Sequence, residues 1–171
     1  MRRDEPAVGV IEAALPPDAL LGRYQAAGDY TDGFVVTVPG RVTQAAYVEA
    51  FYTTPLFRLE RLVLAALVSR PSTDDDVQRL ASGEAEAFAA WTVEARTPDQ
   101  ILLCDFQGAT RSWLMSASDA QAATTTLWFG SAVVRRKGAR RLGPGFRAML
   151  PFHRLYARAL LRAAVRRLKA G

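Results

Sequence analysis

The chain has 171 residues, 50% of them apolar and 23% charged, with 12 glycines and 9 prolines. That composition excludes a disordered chain, a collagen-like repeat or a coiled coil as an overall description, and the length suits a single domain over residues 1–171. The net charge of +5 is unevenly spread: all 17 acids lie at or before Asp119, leaving residues 1–119 at −7 and residues 120–171, with 12 basic residues and no acid, at +12.

The first 30 residues lack a periodic pattern and contain Pro16-Pro17. Arg2 and Arg3 resemble the start of a signal segment, but Asp4, Glu5 and Pro6 follow and no apolar run does. Gly33 to Val38 reads as a strand closed by Pro39-Gly40. Thr43 caps a helix through Tyr52, with Tyr47, Val48, Phe51 and Tyr52 at helical spacing. Thr54-Pro55 is a fresh cap and first-turn pair, opening a helix that buries Leu56, Leu59, Val63 and Leu67 and ends before Pro71. Ser72 or Thr73 caps a third helix that Gly83 closes. Asp74, Asp75 and Asp76 fall in its first turn, where the helix dipole favours them. Three consecutive carboxylates point in different directions, so the run is a cap rather than a metal site.

From Phe88 the period changes to two, predicting strands at 88–96, 101–107, 110–117 and 124–135. Residues 97–100 form a turn, Gly108-Ala109 a two-residue hairpin loop and 118–123 a longer one, so the strands form an antiparallel meander. A basic, glycine-rich loop from Lys137 to Gly145 leads to a C-terminal helix, with a bend or fresh start expected at Pro151. The turns set the register: Arg96 opposite Ile101, Trp91 opposite Phe106, Cys104 opposite Trp113 and Trp113 opposite Trp128. Trp91, Trp113 and Trp128 then share one face with Cys104 and a single charge, Arg111, while the other face carries Thr92, Glu94, Arg96, Asp105, Gln107, Thr110, Ser112 and Ser116 among several leucines. The tryptophan face is expected to lie under the C-terminal helix, whose stripe is Ala157, Leu160, Leu161, Ala164 and Leu168. His153 projects from this stripe. Arg154, Arg158 and Arg162 flank it, with Arg147 and Lys169 nearby.

The expected fold class is α+β, an antiparallel meander curved around a long C-terminal helix with a helical insertion after the first strand. This arrangement resembles the helix-grip fold of the START/polyketide-cyclase (SRPBCC) superfamily. The ends of the chain are similar to an uncharacterised bacterial family, domain of unknown function 2867. The matching stretches are Ile11-Glu12-Ala13-Ala14-Leu15-Pro16, Asp29-Tyr30-Thr31-Asp32 and Pro151-Phe152-His153-Arg154-Leu155. That family often carries a His-Leu-Asp-Phe-Arg-like strand in mid-sheet; here Thr110-Arg111-Ser112-Trp113-Leu114 stands in its place without the His and Asp. The resemblance implies a fold, and helix-grip relatives commonly hold apolar ligands between sheet and helix.

The chemical candidates each have a plain and a functional reading. His153, the sole histidine, is a core residue satisfied by backbone or Tyr156, or a general base or hydrogen-bonding group toward a ligand. Without an evident orienting acid it is a thin basis for catalysis. Cys104, the sole cysteine, has no cationic neighbour in sequence to lower its pKa, which favours an inert buried thiol over a nucleophile. Arg111 is a snorkelling rim residue or a contact for a ligand carboxylate or phosphate. The tryptophans are core or ligand cage. Gly143-Pro144-Gly145 lacks the strand and helix context of a phosphate loop. No metal site or cofactor is called for, and no pair of histidines exists to hold a metal.

Two functions follow as expectations. The first is binding of a small apolar ligand with one acidic or hydroxyl group, in a cavity lined by Trp91, Cys104, Trp113, Trp128, His153 and Tyr156 with Arg111 at its rim. The second is a non-catalytic adaptor using Arg154, Arg158 and Arg162 on an anionic membrane surface or a macromolecular partner. The arginines can also be neutralised by the acidic N-terminal part of the chain itself. No aromatic residue is interleaved in the stripe, which argues against single-stranded nucleic acid. No apolar stretch reaches the ~20 residues of a spanning helix, and a lone thiol points to the cytoplasm.

Overall fold

The computed structural model describes residues 9–59, 71–135 and 144–170, with the side chains of 144–147 left aside. The elements run β1 (Ile11–Glu12), α1 (Gly22–Ala26), β2 (Tyr30–Pro39), α2 (Gln44–Tyr52), α3 (Asp74–Ser82), β3 (Ala87–Phe88), β4 (Trp91–Arg96), β5 (Gln100–Asp105), β6 (Thr110–Asp119), β7 (Thr124–Val133) and α4 (Pro144–Ala170). The strands form one antiparallel sheet in the order β1-β2-β7-β6-β5-β4-β3. The meander from β3 to β7 thus returns to β2. The sheet is curved around α4; α1 lies between β1 and β2, and α2 and α3 are inserted after β2, its first long strand. This is the helix-grip arrangement. Among the described residues no helix is long and apolar enough to cross a membrane.

Local signals explain the helices. Thr43 accepts a hydrogen bond from the Ala46 amide, and Tyr47, Val48, Phe51 and Tyr52 are all buried. Thr54 Oγ1 accepts from the Phe57 amide at 3.2 Å, opening the helical residues 55–59. Phe57, not Leu59, enters the core there, and Leu59 is exposed. Val63 and Leu67 lie outside the described residues. Thr73 and Asp76 form a reciprocal capping box, Asp74 pairs with Arg58, and Gly83 ends α3 at φ 85°. The Asp run is therefore used as a cap. The expected stripe of α4 is buried at Ala157, Leu160, Leu161 and Ala164. Of the bend or fresh start expected at Pro151, the fresh start does not occur: α4 is one helix with Pro151 inside it. Pro151 is exposed, so the hydrogen bond it removes lies on the solvent side. The loop expected from Lys137 lies largely outside the described residues, as does the Arg147 side chain.

The strand register explains where the tryptophans go. Arg96 pairs with Ile101 as expected, but a bulge between Val93 and Ala95 shifts the rest of β4 by one residue, so Trp91 opposes Asp105 rather than Phe106. A one-residue slip changes the face. The loops after β5 and β6 each span four residues, 106–109 and 120–123, and pin their turns with Asp105 Oδ1 and Asp119 Oδ1. Each moves the register by two: Cys104 opposes Arg111, and Trp128 opposes Met115. Even shifts preserve the face, so Trp113 and Trp128 still lie together, ring centroids 6.3 Å apart, while Trp91 turns to the other side.

The cover expected for the tryptophan face is also reversed. α4 packs on the opposite face, against Phe34, Val36, Ile101, Leu103, Leu114, Leu127 and Phe129. Its serines face the helices too, and each finds a partner: Ser112 Oγ meets the Tyr52 hydroxyl at 3.0 Å and Ser116 Oγ donates to the Val42 carbonyl at 2.6 Å. Polar residues therefore did not mark the solvent side. Trp113 and Trp128 are covered instead by the irregular N-terminal segment, through Leu15, Ala19, Leu20, Leu21 and Tyr24. Buried Gln100 secures it: its Oε1 accepts from Trp113 Nε1 and from the Leu20 amide, each at 2.9 Å, and its Nε2 donates to the Asp18 carbonyl at 3.1 Å.

Candidate functional site

The inward alternation of β2 runs Asp32, Phe34, Val36, Val38, so one carboxylate stands on the helix side of the sheet. The ladder sets Ser131 of β7 directly opposite it. His153 descends from α4 onto this pair. Its Nε2 lies 2.9 Å from Asp32 Oδ2 and 2.9 Å from Ser131 Oγ. Ser131 also donates its hydroxyl to Asp32 Oδ1 at 2.7 Å and its amide to the same oxygen at 3.0 Å. Tyr30, at the start of β2, donates to Asp32 Oδ2 at 3.0 Å.

These bonds fix charge and tautomer. Asp32 is almost wholly enclosed, its side chain 1% exposed. Burial pushes its carboxyl up, but the bonds from His153 and Ser131, the positive charge available on His153 and the Tyr30 hydroxyl outweigh it and hold the group below the ordinary carboxylate range. An ionised carboxylate only accepts, so Nε2 of His153 carries a proton. The Ser131 proton goes to Asp32, and its oxygen accepts from the same Nε2. A nucleophilic serine needs a histidine nitrogen free to take its proton; here that nitrogen is already a donor. The cluster is therefore not a serine nucleophile site. It is an aspartate-anchored histidine whose described hydrogen bonds all use Nε2, with 30% of the side chain open. Nδ1 is the atom left for chemistry: an acceptor or base when the ring is neutral, a donor when it is charged.

Around this centre, Tyr30 is raised to about 12, by burial first and then by the Asp32 charge, so it stays a donor. Arg154 bonds the Tyr30 hydroxyl and reaches Glu12 Oε1 at 3.4 Å, and Arg158 reaches Glu12 Oε2 at 3.6 Å. Asp32 also borders an open cleft of about 310 Å³ along the β1 edge, shared with Glu12, Leu15, Gln25 and Gly33.

The seven residues expected to line one chamber are divided between the faces. His153, Tyr156 and Trp91 are on the helix side. Tyr156 stacks on Phe152 at 6.3 Å. The Trp91 Nε1 atom is buried with no hydrogen-bond partner among the described residues. Three strand spacings, roughly 14 Å, separate Trp91 from Ser131. Between them the rings of Tyr52, Phe57 and Phe88 fill the interior, Tyr52 lying 4.8 Å from Phe57 and 5.6 Å from Phe88. Trp113, Trp128, Cys104 and Arg111 belong to the other face. Arg111 is engaged by Glu94 Oε2 at 2.5 Å and the Tyr24 hydroxyl at 2.7 Å. Cys104 is pushed up by burial, only partly opposed by Arg111, which fits an inert thiol.

Sequence reasoning missed Asp32, the acid that orients His153. The expected strand begins at Gly33, three residues after β2 does; extending its alternation backward from Phe34 places Asp32 inward. No family model, no curated protein and no solved structure matches the chain.

Proposed function

We propose that this chain is a helix-grip binding domain whose ligand engages Nδ1 of His153, at the end of the seam between the sheet and α4. The observation that carries this reading is the sole histidine, clamped through Nε2 on a buried carboxylate while the rest of its ring stays partly open. A structural histidine needs only its own bonds satisfied; one anchored from behind by a charge is set to meet a partner in front. The ligand class is a small molecule with an apolar body and one acidic or hydroxyl group. The polar group bonds Nδ1, and the body lies along Tyr156, the i+3 neighbour on the same helix flank. The reading includes membership of the family domain of unknown function 2867: two stretches that carry that resemblance, Asp29–Asp32 and Pro151–Leu155, meet through Asp32 and His153. A single domain acting in the cytoplasm completes it.

One histidine makes the test unambiguous. Nitrogen-15 spectra of the imidazole are recorded while medium-chain carboxylic acids and alcohols are added. The Nδ1 resonance should move, Nε2 should keep its protonated character, and Asp32→Asn should weaken the response. An Nδ1 resonance that stays put through the whole series overturns the proposal and leaves the cluster as a bolt between helix and sheet.

A further inference from the structure

The outward face of α4 carries a second feature, independent of His153. Six large apolar residues are exposed among the described residues, and three of them, Met149, Phe152 and Leu155, fall within seven consecutive positions at 58%, 62% and 64% exposure. At 100° per residue, Phe152 and Leu155 continue along one line through Ala159 to Arg162 and Arg166, opposite the buried stripe. Arg162 and Arg166 are exposed, and among the described residues neither is in an ion pair. The stripe is thus divided along its length, apolar first and cationic about 15 Å further on.

The other arginines are used differently. Arg154 and Arg158 turn toward Glu12, and Arg167 lines a groove beside Glu49. The chain has no acid after Asp119, so α4 itself offers no counter-charge to Arg162 and Arg166.

We propose that this stripe docks on an anionic lipid surface. Phe152 and Leu155 enter the headgroup layer, and Arg162 and Arg166 rest on lipid phosphates. The pattern selects this occupant. A second copy packed α4 on α4 through this stripe would set Arg162 and Arg166 against either the same arginines or Phe152 and Leu155, with no acid to meet them. A nucleic acid would meet Arg162 and Arg166 but gain nothing from the bulky apolar side chains of Phe152 and Leu155 at the other end of the stripe. A bilayer surface supplies both the apolar layer and the negative charge.

Co-sedimentation with phosphatidylglycerol/phosphatidylcholine vesicles and with pure phosphatidylcholine vesicles tests this. The wild type should bind the anionic vesicles, and raising the salt should weaken that binding. Arg162→Ala/Arg166→Ala should lower the affinity roughly thirtyfold. Phe152→Glu/Leu155→Glu should abolish binding at physiological salt. All four positions are exposed, so thermal unfolding should be unchanged. Arg162→Ala/Arg166→Ala should leave the Nδ1 response of His153 to carboxylic acids and alcohols unchanged, which separates this surface from the ligand proposal. Equal binding to neutral vesicles, no binding to anionic vesicles at low salt, or wild-type binding by Phe152→Glu/Leu155→Glu overturns it. So does a concentration-dependent dimer that the same double substitution dissolves.

Discussion

The two faces of the sheet are closed by different means. On one side a 27-residue helix and the inserted helices lay periodic apolar stripes over a broad aromatic core. On the other, a segment with only five residues of helix covers two tryptophans, held by Gln100 and by the Arg111–Glu94–Tyr24 group. The helical cover is a matter of hydrophobic area and is stable to the loss of any one polar contact. The irregular cover depends on a few buried hydrogen bonds, because it has no repeating stripe to bury.

The strongest way to break this contrast is Trp113→Ala. It removes a fully buried indole and one of the three hydrogen bonds that the Gln100 side chain makes, and should cost about 3–5 kcal/mol. Proteolysis should then cut first within residues 13–26 while α4 stays protected; equal cleavage of both covers would refute the asymmetry. Gly130→Ala comes next. A methyl there would sit 2.9 Å from Trp113 Cε3, 2.9 Å from Leu21 Cδ2 and 2.8 Å from the Asp32 carbonyl, so roughly 1–3 kcal/mol should be lost in denaturant unfolding. No loss would mean that the second core is loosely filled. The smallest effect sharpens the helix side. Asp32 is held below its ordinary value, so its contribution is complete above about pH 4 and disappears as pH falls through the lowered native value. Asp32→Asn should cost about 1–2 kcal/mol at neutral pH and flatten the acid limb of the stability profile. An unchanged acid limb would show that this carboxylate is not linked to folding.

The legible parts were those with local causes. Thr43, Thr54 and Thr73 start helices through their own side chains, and the α4 stripe follows from helical geometry. Loop lengths off by two residues did no harm, because strand faces repeat every second residue; hence Trp113 and Trp128 were rightly placed together. The bulge beside Glu94 has no turn residue to announce it, and it alone turned Trp91 around. The cover was misjudged because Ser112 and Ser116 look solvent-facing until Tyr52 and Val42 are seen against them. The site was half visible: His153 stood out as the sole histidine, whereas its acid lies 121 positions away and only the β2–β7 ladder brings Ser131 to it.

That ladder also orders events during synthesis. Val38 waits for Thr125, 87 residues downstream, which at ribosomal speeds is on the order of ten seconds. Through that interval β2 has neither its β7 neighbour nor the α4 cover, and Phe34, Val36 and Val38 stand bare on the nascent chain. Such a strand is a natural client for chaperones that bind short greasy segments emerging from the tunnel.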